Sequence, residues 1–441
     1  MRSGRRHLTI AATMVAVLAL AAAAVAASGS LTYRTCIANG GIDGCREPAH
    51  NSLGNNVGLA VSPDGRTVYV ASVGGALTEL RHRAGGGLAY EDCFADRGAH
   101  GCRDIPHDSL DAATGAAVSP DGRSVYVTSG QRTNAVTRFK QDPVGVLGYR
   151  GCIANGGSHA GIGGCTLARR NSLDSNEAIA VSPDGRSVYV VSSESDSITR
   201  FKRATNGALK YGGCIANRGA HGCAKPKHAS LGGAFDLAIS PDGRSVYVVA
   251  LNGNSITRFD RRADGSLVYK RCFANAHAHG CKRLHHNSLG GADAVAVSPD
   301  GESVYVASLG GDAITRFLRS PGGRINPGGC YANGGAHGCR KPKRNSLHAA
   351  DGVAVSPDGG SVYVTAMTGP TLNGGAGAVT QLTRHGDGSL SFNGCFADRG
   401  SYDCRAPRLD SLGSPESIAV DPDGTAVFVG SFGFQLSVFG R

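Results

Sequence analysis

Five residues ahead of each copy of a recurring Ser/Asp-Pro-Asp-Gly segment, the chain places Val57, Thr114, Glu177, Phe235, Asp293, Asp351 and Glu416. Four of these seven are acidic, and Asp293, Asp351 and Glu416 come from three successive copies. Carboxylates brought close together repel one another unless a cation or a proton intervenes. Oxygen ligands from neighbouring segments suit Ca²⁺ or Mg²⁺, and an ion bound there polarises a carbonyl or activates water. Without a metal, a carboxylate of raised pKa serves as a general base. The plainer alternative is that these acids accept hydrogen bonds from nearby backbone amides where strands begin. Both readings stay open at this point: ligand binding at Glu177, Asp293, Asp351 and Glu416, with metal at Asp293, Asp351 and Glu416.

The second set of reactive side chains is the cysteines. They fall into neighbouring pairs: Cys36 with Cys45, Cys93 with Cys102, Cys152 with Cys165, Cys214 with Cys223, Cys272 with Cys281, Cys330 with Cys339 and Cys395 with Cys404. Six pairs are nine positions apart, one is thirteen apart, and no cysteine is left over. A closed zinc site needs about four ligands. Each unit offers two cysteines and only sometimes a histidine, as at His100, His221, His279 and His337, whereas Asp43, Gly163 and Tyr402 or Asp403 lie near that place elsewhere. The spacing therefore predicts local disulfide staples, each stabilising by roughly 2 to 3 kcal/mol through the small loop it closes.

Disulfides on this scale require an oxidising compartment, and the first residues agree. Residues 1–27 combine three arginines with an Ala- and Val-rich run ending in Val25-Ala26-Ala27, the pattern of a secretory signal peptide. Arg5-Arg6 leaves the export route, general or twin-arginine, open. No later stretch is long and apolar enough to span a bilayer, so a secreted or cell-envelope protein with no membrane span after signal removal is expected. The net charge of +11 falls to +8 once Arg2, Arg5 and Arg6 leave with the signal peptide. Much of that excess follows the second cysteine of each pair, as at Lys225, Lys227, Lys282, Arg283, Arg340, Lys341, Lys343 and Arg344. Such a rim is either solvated loop charge or an attractor of anionic envelope polymers and glycans. Nucleic acid is not an expected partner, because no stacking aromatics interleave with the basic residues and tryptophan is absent.

The elements that must position these residues are repeats. SPDGRTVYV at 62 recurs as SPDGRSVYV at 119, 182 and 240, SPDGESVYV at 298, SPDGGSVYV at 356 and DPDGTAVFV at 421. Ser or Asp, Pro, Asp and Gly occupy the four places of a type I turn, with Gly free to take positive φ before the next strand. An apolar stretch such as Ala294-Val295-Ala296-Val297 precedes each turn. A β-branched and aromatic run such as Ser303-Val304-Tyr305-Val306 follows it. A third run (Ser255-Ile256-Thr257-Arg258-Phe259) and a fourth (Leu267-Val268-Tyr269-Lys270) lead to the first cysteine of a pair. Four short strands per unit in seven units predict an all-β, seven-bladed β-propeller forming one domain over 28–441. Residues 31–36 supply a lone fourth strand, and the last segments supply a first, second and third. The ring is therefore expected to close by pairing the N-terminal strand with the C-terminal three, as a monomer.

AVSPDGRSVYV followed by SITRF, with VYVT at 125–128 and 362–365, resembles the YVTN and seven-bladed lactonase-like (6-phosphogluconolactonase-like) propeller repeats. The resemblance covers nearly the whole chain after residue 27. It implies the propeller architecture and two kinds of activity, a surface binding or scaffold protein or a hydrolase of a small lactone. WD40 and kelch propellers are less similar, since their repeat tryptophans are missing, and the last unit, 416–429, drifts toward the NHL repeat. No G-x-S-x-G, H-E-x-x-H or phosphate-cradling G-x-x-x-x-G-K-[ST] is present. The near-identity of the units favours an exported binding or scaffold module, with lactone hydrolysis at the channel mouth as the alternative. Three departures from the sevenfold pattern, residues 367–377, 129–134 and 152–165, mark where a ligand face is expected.

Overall fold

The computed structural model describes residues 29–441 except 84, 132, 143–144, 157–163, 276–279 and 368–376. The signal-peptide expectation for 1–27 lies outside the described residues, as do His279, Gly163 and most of the 367–377 insertion.

Seven antiparallel sheets form the blades, their inner strands beginning at Asn56, Ala113, Asn176, Ala234, Ala292, Ala350 and Pro415. We number them blades 1 to 7 in that order. Blade 3 shows the plan: Asn176–Val181, Ser187–Ser192, Ser197–Arg203 and Leu209–Ala216 run from the axis outward. Between the first two strands, Gly185 takes φ 67°, and the seven equivalent glycines lie between 66° and 76°, the left-handed conformation that the turn demands. The Ser182 hydroxyl donates to Asp184 and accepts the Ser187 amide at 3.0 Å, locking that turn.

The core is not central. Seven apolar clusters each bridge two adjacent blades. The second strand of each blade is buried on both faces, which is why it reads Ser-Val-Tyr-Val rather than alternating apolar and polar. Tyr69, Tyr126, Tyr189, Tyr247, Tyr305 and Tyr363 are all fully buried there. A buried phenol needs a partner, and the next blade supplies one to Tyr69, Tyr126, Tyr189, Tyr247 and Tyr305, whereas the Tyr363 hydroxyl has none among the described residues. Arg261, ending the third strand of blade 4, donates from Nε to the Tyr189 hydroxyl at 2.9 Å and from Nη2 to Asp184 at 2.7 Å. Arg203, Arg319 and Arg384 repeat this clasp at their junctions, and Arg441 reaches Asp358. Gln141 and His82 take the arginine's place at the other two.

The ring closes through the chain ends. Thr32–Ala38 pairs antiparallel with Gln435–Gly440, Tyr33 facing Phe439, and completes blade 7. All fourteen cysteines are paired as the spacing predicts, with Cα–Cα separations of 4.8 to 5.0 Å.

The four-strand blade gains a rudimentary fifth strand that the sequence did not suggest. After the second cysteine the chain runs parallel to the outermost strand, as Arg103–Ile105, Thr166–Leu167 and Lys282–Arg283 in blades 1, 2 and 4 and as single bridges in the other four. The staple is the cause. Between Cys214 and Cys223, Arg218, Gly219 and His221 all take positive φ, folding the loop into a compact turn. The Ala224 amide then bonds the Cys214 carbonyl at 2.9 Å. The histidine position is thus a left-handed turn residue, as at His100, His221 and His337. The residue directly after the fourth strand's closing apolar pair, Asn217 in blade 3, accepts the amide of Leu231. Its counterparts Asn39, Asp96, Asn155, Asn275, Asn333 and Asp398 do the same for Leu53, Leu110, Leu173, Leu289, Leu347 and Leu412. That bond ties each excursion to the return toward the axis.

Candidate functional site at the channel mouth

Strand register puts the start of every inner strand on the same face as the clips, since Asn176 pairs with Ser192, and Ser197 with both Ser192 and Ala216. The proline turns and arginine clasps occupy the opposite face. At its start each inner strand slips register: between Asn176 and Ala178 in blade 3, Ala234 and Asp236 in blade 4, Ala292 and Ala294 in blade 5, Pro415 and Ser417 in blade 7. These are bulges, which leave one residue without a cross-strand mate and re-aim its side chain. The residue five before each turn is that residue, so Glu177, Asp293 and Glu416 are released from the ladder. In blade 6 the slip spans Asp351 and Gly352 together.

Glu177, Asp293, Asp351 and Glu416 line one cavity of 560 Å³ together with Val57, Thr114 and Phe235. The sequence expectation that these acids share an arc therefore matches their placement. A fifth carboxyl, Asp236, joins them. It follows Phe235 directly, and its adjacency to the bulge position was the only signal for it. Asp236 accepts the Leu237 amide at 2.7 Å and, from the next blade, the Val295 amide at 2.8 Å. That is the backbone-bonding role considered for the whole set, and burial raises its pKa to about 6.

The others differ from Asp236. Glu177 accepts from Ser175 Oγ at 3.0 Å and Ser193 Oγ at 2.6 Å, and burial outweighs both bonds to raise its pKa. Asp293 is 4% exposed and accepts no hydrogen bond from the described residues; burial, then Asp236, Glu416 and Glu177, push it well above the carboxylate range. Burial and the charges of Asp293 and Glu416 do the same to Asp351, and burial lifts Glu416 to about 7. With its pKa near neutrality, Glu416 can donate a hydrogen bond to a bound molecule or exchange a proton with it.

Close backbone approach makes this crowding possible. A Cβ on Gly352 would stand 2.9 Å from the Glu416 carbonyl oxygen and 2.6 Å from Thr365 Oγ1, and one on Gly58 would stand 2.8 Å from Gly115 Cα. Among the described residues no Lys, Arg or His lines the cavity. No group of three or more His, Cys, Asp or Glu is placed as a metal-ligand set either. Asp293, Asp351 and Glu416, expected to take calcium or magnesium, thus share a cavity without being grouped as a ligand set. Of the asymmetric segments, Met367 reaches the cavity wall.

The basic rim lies apart, on the outer edge. Lys225 and Lys227 are exposed and border a hollow with Arg262 and Lys270. No helix among the described residues is long and apolar enough to cross a membrane.

Fold and site define a disulfide-stapled, seven-bladed β-propeller with a carboxyl-lined channel mouth. By sequence, no protein-family model and no curated protein matches the chain. By structure it is similar to a candidate 6-phosphogluconolactonase from Bacteroides uniformis (TM-score 0.56, 14% identity, covering 83% of this chain and 88% of that one). It is similar also to a protein from Lactobacillus plantarum (0.54, 16%, 80% and 86%). A third is the periplasmic gluconolactonase of Pseudomonas aeruginosa (0.53, 18%, 76% and 84%). At these identities the likeness is one of fold, and the fold it supports is the β-propeller.

Proposed function

We propose that the protein is an exported binding propeller that holds a small molecule at the channel mouth on its stapled face. The observation that carries this reading is the 560 Å³ cavity, walled by five carboxyls and apolar side chains with no cation among the described lining residues. A concave, mostly apolar space with a few convergent polar groups is the usual form of a ligand site. Seven disulfides support a working place in an oxidising compartment outside the cytosol. The exposed Lys225, Lys227, Arg262 and Lys270 support contact of the outer rim with anionic envelope polymers or glycans.

A second reading, lactone hydrolysis, draws on Glu416, whose pKa of about 7 suits a general acid–base, and on the lactonase-type neighbours in fold. The site's charge restricts it to an uncharged lactone, because a phosphate would meet carboxyls and no basic partner. Titration calorimetry with neutral sugar lactones, beside a hydrolysis assay, tests both. Heat without turnover supports the binding protein. Turnover lost in Glu416→Gln supports the hydrolase, and neither heat nor turnover with any small molecule removes the channel mouth as the working site.

A further inference from the structure

The channel mouth is short of positive charge in a way the rest of the protein is not. The chain carries 45 Lys and Arg against 34 Asp and Glu, yet none of the described residues around the cavity is basic, and carboxyls arrive from five consecutive blades. Asp236 spends its oxygens on backbone amides and Glu177 has two serine hydroxyls. Asp293, 4% exposed and facing the same cavity, accepts no hydrogen bond from the described residues. A buried carboxyl without a partner is costly in the empty protein, and the partner that removes the cost is a cationic donor delivered from outside.

We propose that the mouth binds an aliphatic polyamine, its ammonium groups paired with Asp293, Asp351 and Glu416 and its methylenes against the apolar wall. The proposal rests on the reading of the mouth as a ligand site and names the class of ligand. A single metal ion fits poorly, because no three of these side chains are grouped as ligands. A chain with several charges spaced by methylenes meets carboxyls supplied by separate blades. The walls between them, Leu251, Leu309 and Ile418, suit those methylenes.

Binding is then coupled to protons. The titratable groups facing the ligand are Glu177, Asp236, Asp293, Asp351 and Glu416, while Thr114 and Val57 complete the ring without charge. Glu194 acts on Glu177 from outside, and His348 contacts the Met367 carbonyl at 3.1 Å beside the cavity. Protonated carboxyls cannot pair with ammonium, so affinity rises as they ionise.

Spermidine and, as a neutral probe, D-glucono-1,5-lactone would be titrated into the oxidised full-length protein by calorimetry at about pH 6 and about pH 8. The expected result is spermidine binding about tenfold tighter at the higher pH, with protons released into the buffer, and at least about tenfold weaker in Asp293→Asn and Asp351→Asn. Thermal melts check that both variants stay folded, which removing a buried carboxyl favours. Lactone binding without spermidine binding overturns the polyamine and leaves the ligand site standing; binding of neither overturns both. Spermidine affinity unchanged in the two variants places any binding elsewhere and also overturns the proposal.

Discussion

The ring of Tyr33 stands edge-on to the ring of Phe439, centroids 5.6 Å apart, in the sheet where the first strand joins the last. Phe439 is fully buried and also touches Phe396 of blade 6 at 5.3 Å, so one aromatic side chain holds both the ring closure and the neighbouring blade. Phe439→Ala should cost about 3 to 5 kcal/mol and Tyr33→Ala, at the half-buried edge, about 1 to 2 kcal/mol. Denaturant midpoints measure both. A Tyr33→Ala protein as stable as the parent would mean that the closing strand contributes nothing.

The arginine clasp makes a separate contribution at the opposite face. Arg261 bonds Asp184 and Tyr189 across the junction of blades 3 and 4 and the Gly243 carbonyl within its own blade. Removing it takes one partner from the buried Tyr189 hydroxyl, which still donates to the Gly265 carbonyl at 2.6 Å, and the ion pair from a part-exposed Asp184, a loss of about 1 to 2 kcal/mol in Arg261→Ala, and Lys should not restore the forked contact. Burial alone would raise the pKa of Asp184, but hydrogen bonds from Ser182, Arg261 and the Arg186 amide lower it overall. Its share of the stability is therefore present above the unfolded carboxylate pKa and lost as pH falls through the lower folded value. The gap between parent and Arg261→Ala should narrow in acid, and a gap that widens there would contradict the clasp.

Each staple closes a short loop outside the blades. Replacing Cys214 and Cys223 together by serine should lower stability by roughly 2 to 3 kcal/mol while leaving the β-sheet circular dichroism unchanged. The local reach of the clip follows from the Ala224–Cys214 backbone bond it sets up, which closes one excursion and no blade junction. Melting of the double variant at the parent's temperature would show the clip to be idle.

Gly352 is the place where the mouth is tightest. Alanine there must displace both the Glu416 carbonyl and the Thr365 hydroxyl, which costs about 1 to 3 kcal/mol as overpacking and spreads the inner strands of blades 6 and 7. Asp351 and Glu416 move apart with them. Gly352→Ala should therefore weaken whatever the mouth binds as well as lowering the melting temperature, whereas a stability loss with intact binding would detach Gly352 from the site.

Much of this architecture is written locally. The proline turn, the three strands after it and the cysteine pair each occupy a few adjacent residues, so their repetition exposes blade number, closure and staples directly. The acids at 177, 293, 351 and 416 stood out because they share one offset from that turn. What stayed hidden depends on contacts across blades or on a half-residue of backbone geometry. The bulge that frees Glu177 and brings in Asp236 leaves no mark in residue type. Arg203, Arg261, Arg319 and Arg384 recur visibly, yet their tyrosine partners lie 72 to 79 residues away, where no periodicity links them. The parallel fifth strand arises from a turn built on left-handed Arg218 and His221, residue types that do not announce that conformation.

One of the tied loop returns carries a built-in cost that a single atom change should remove. In blade 6 the residue accepting the Leu412 amide, at 3.0 Å, is Asp398, where five other blades use asparagine. Burial drives its pKa to about 7, against the hydrogen bond from Leu412 and with help from Asp410. The folded state therefore keeps a proton that the unfolded chain gives up near pH 4, and stability drains away as pH rises between those two values. Asparagine accepts the same amide bond and has no proton to lose. Asp398→Asn should match the parent near about pH 4 and exceed it by roughly 2 kcal/mol near about pH 8. Asp96→Asn in blade 1 should act in the same direction but more weakly, since that carboxyl sits at about 6. Melting curves across this range decide it: an advantage that grows toward acid, or none at all, would mean that the buried carboxyl ionises freely and that the loop return tolerates its charge.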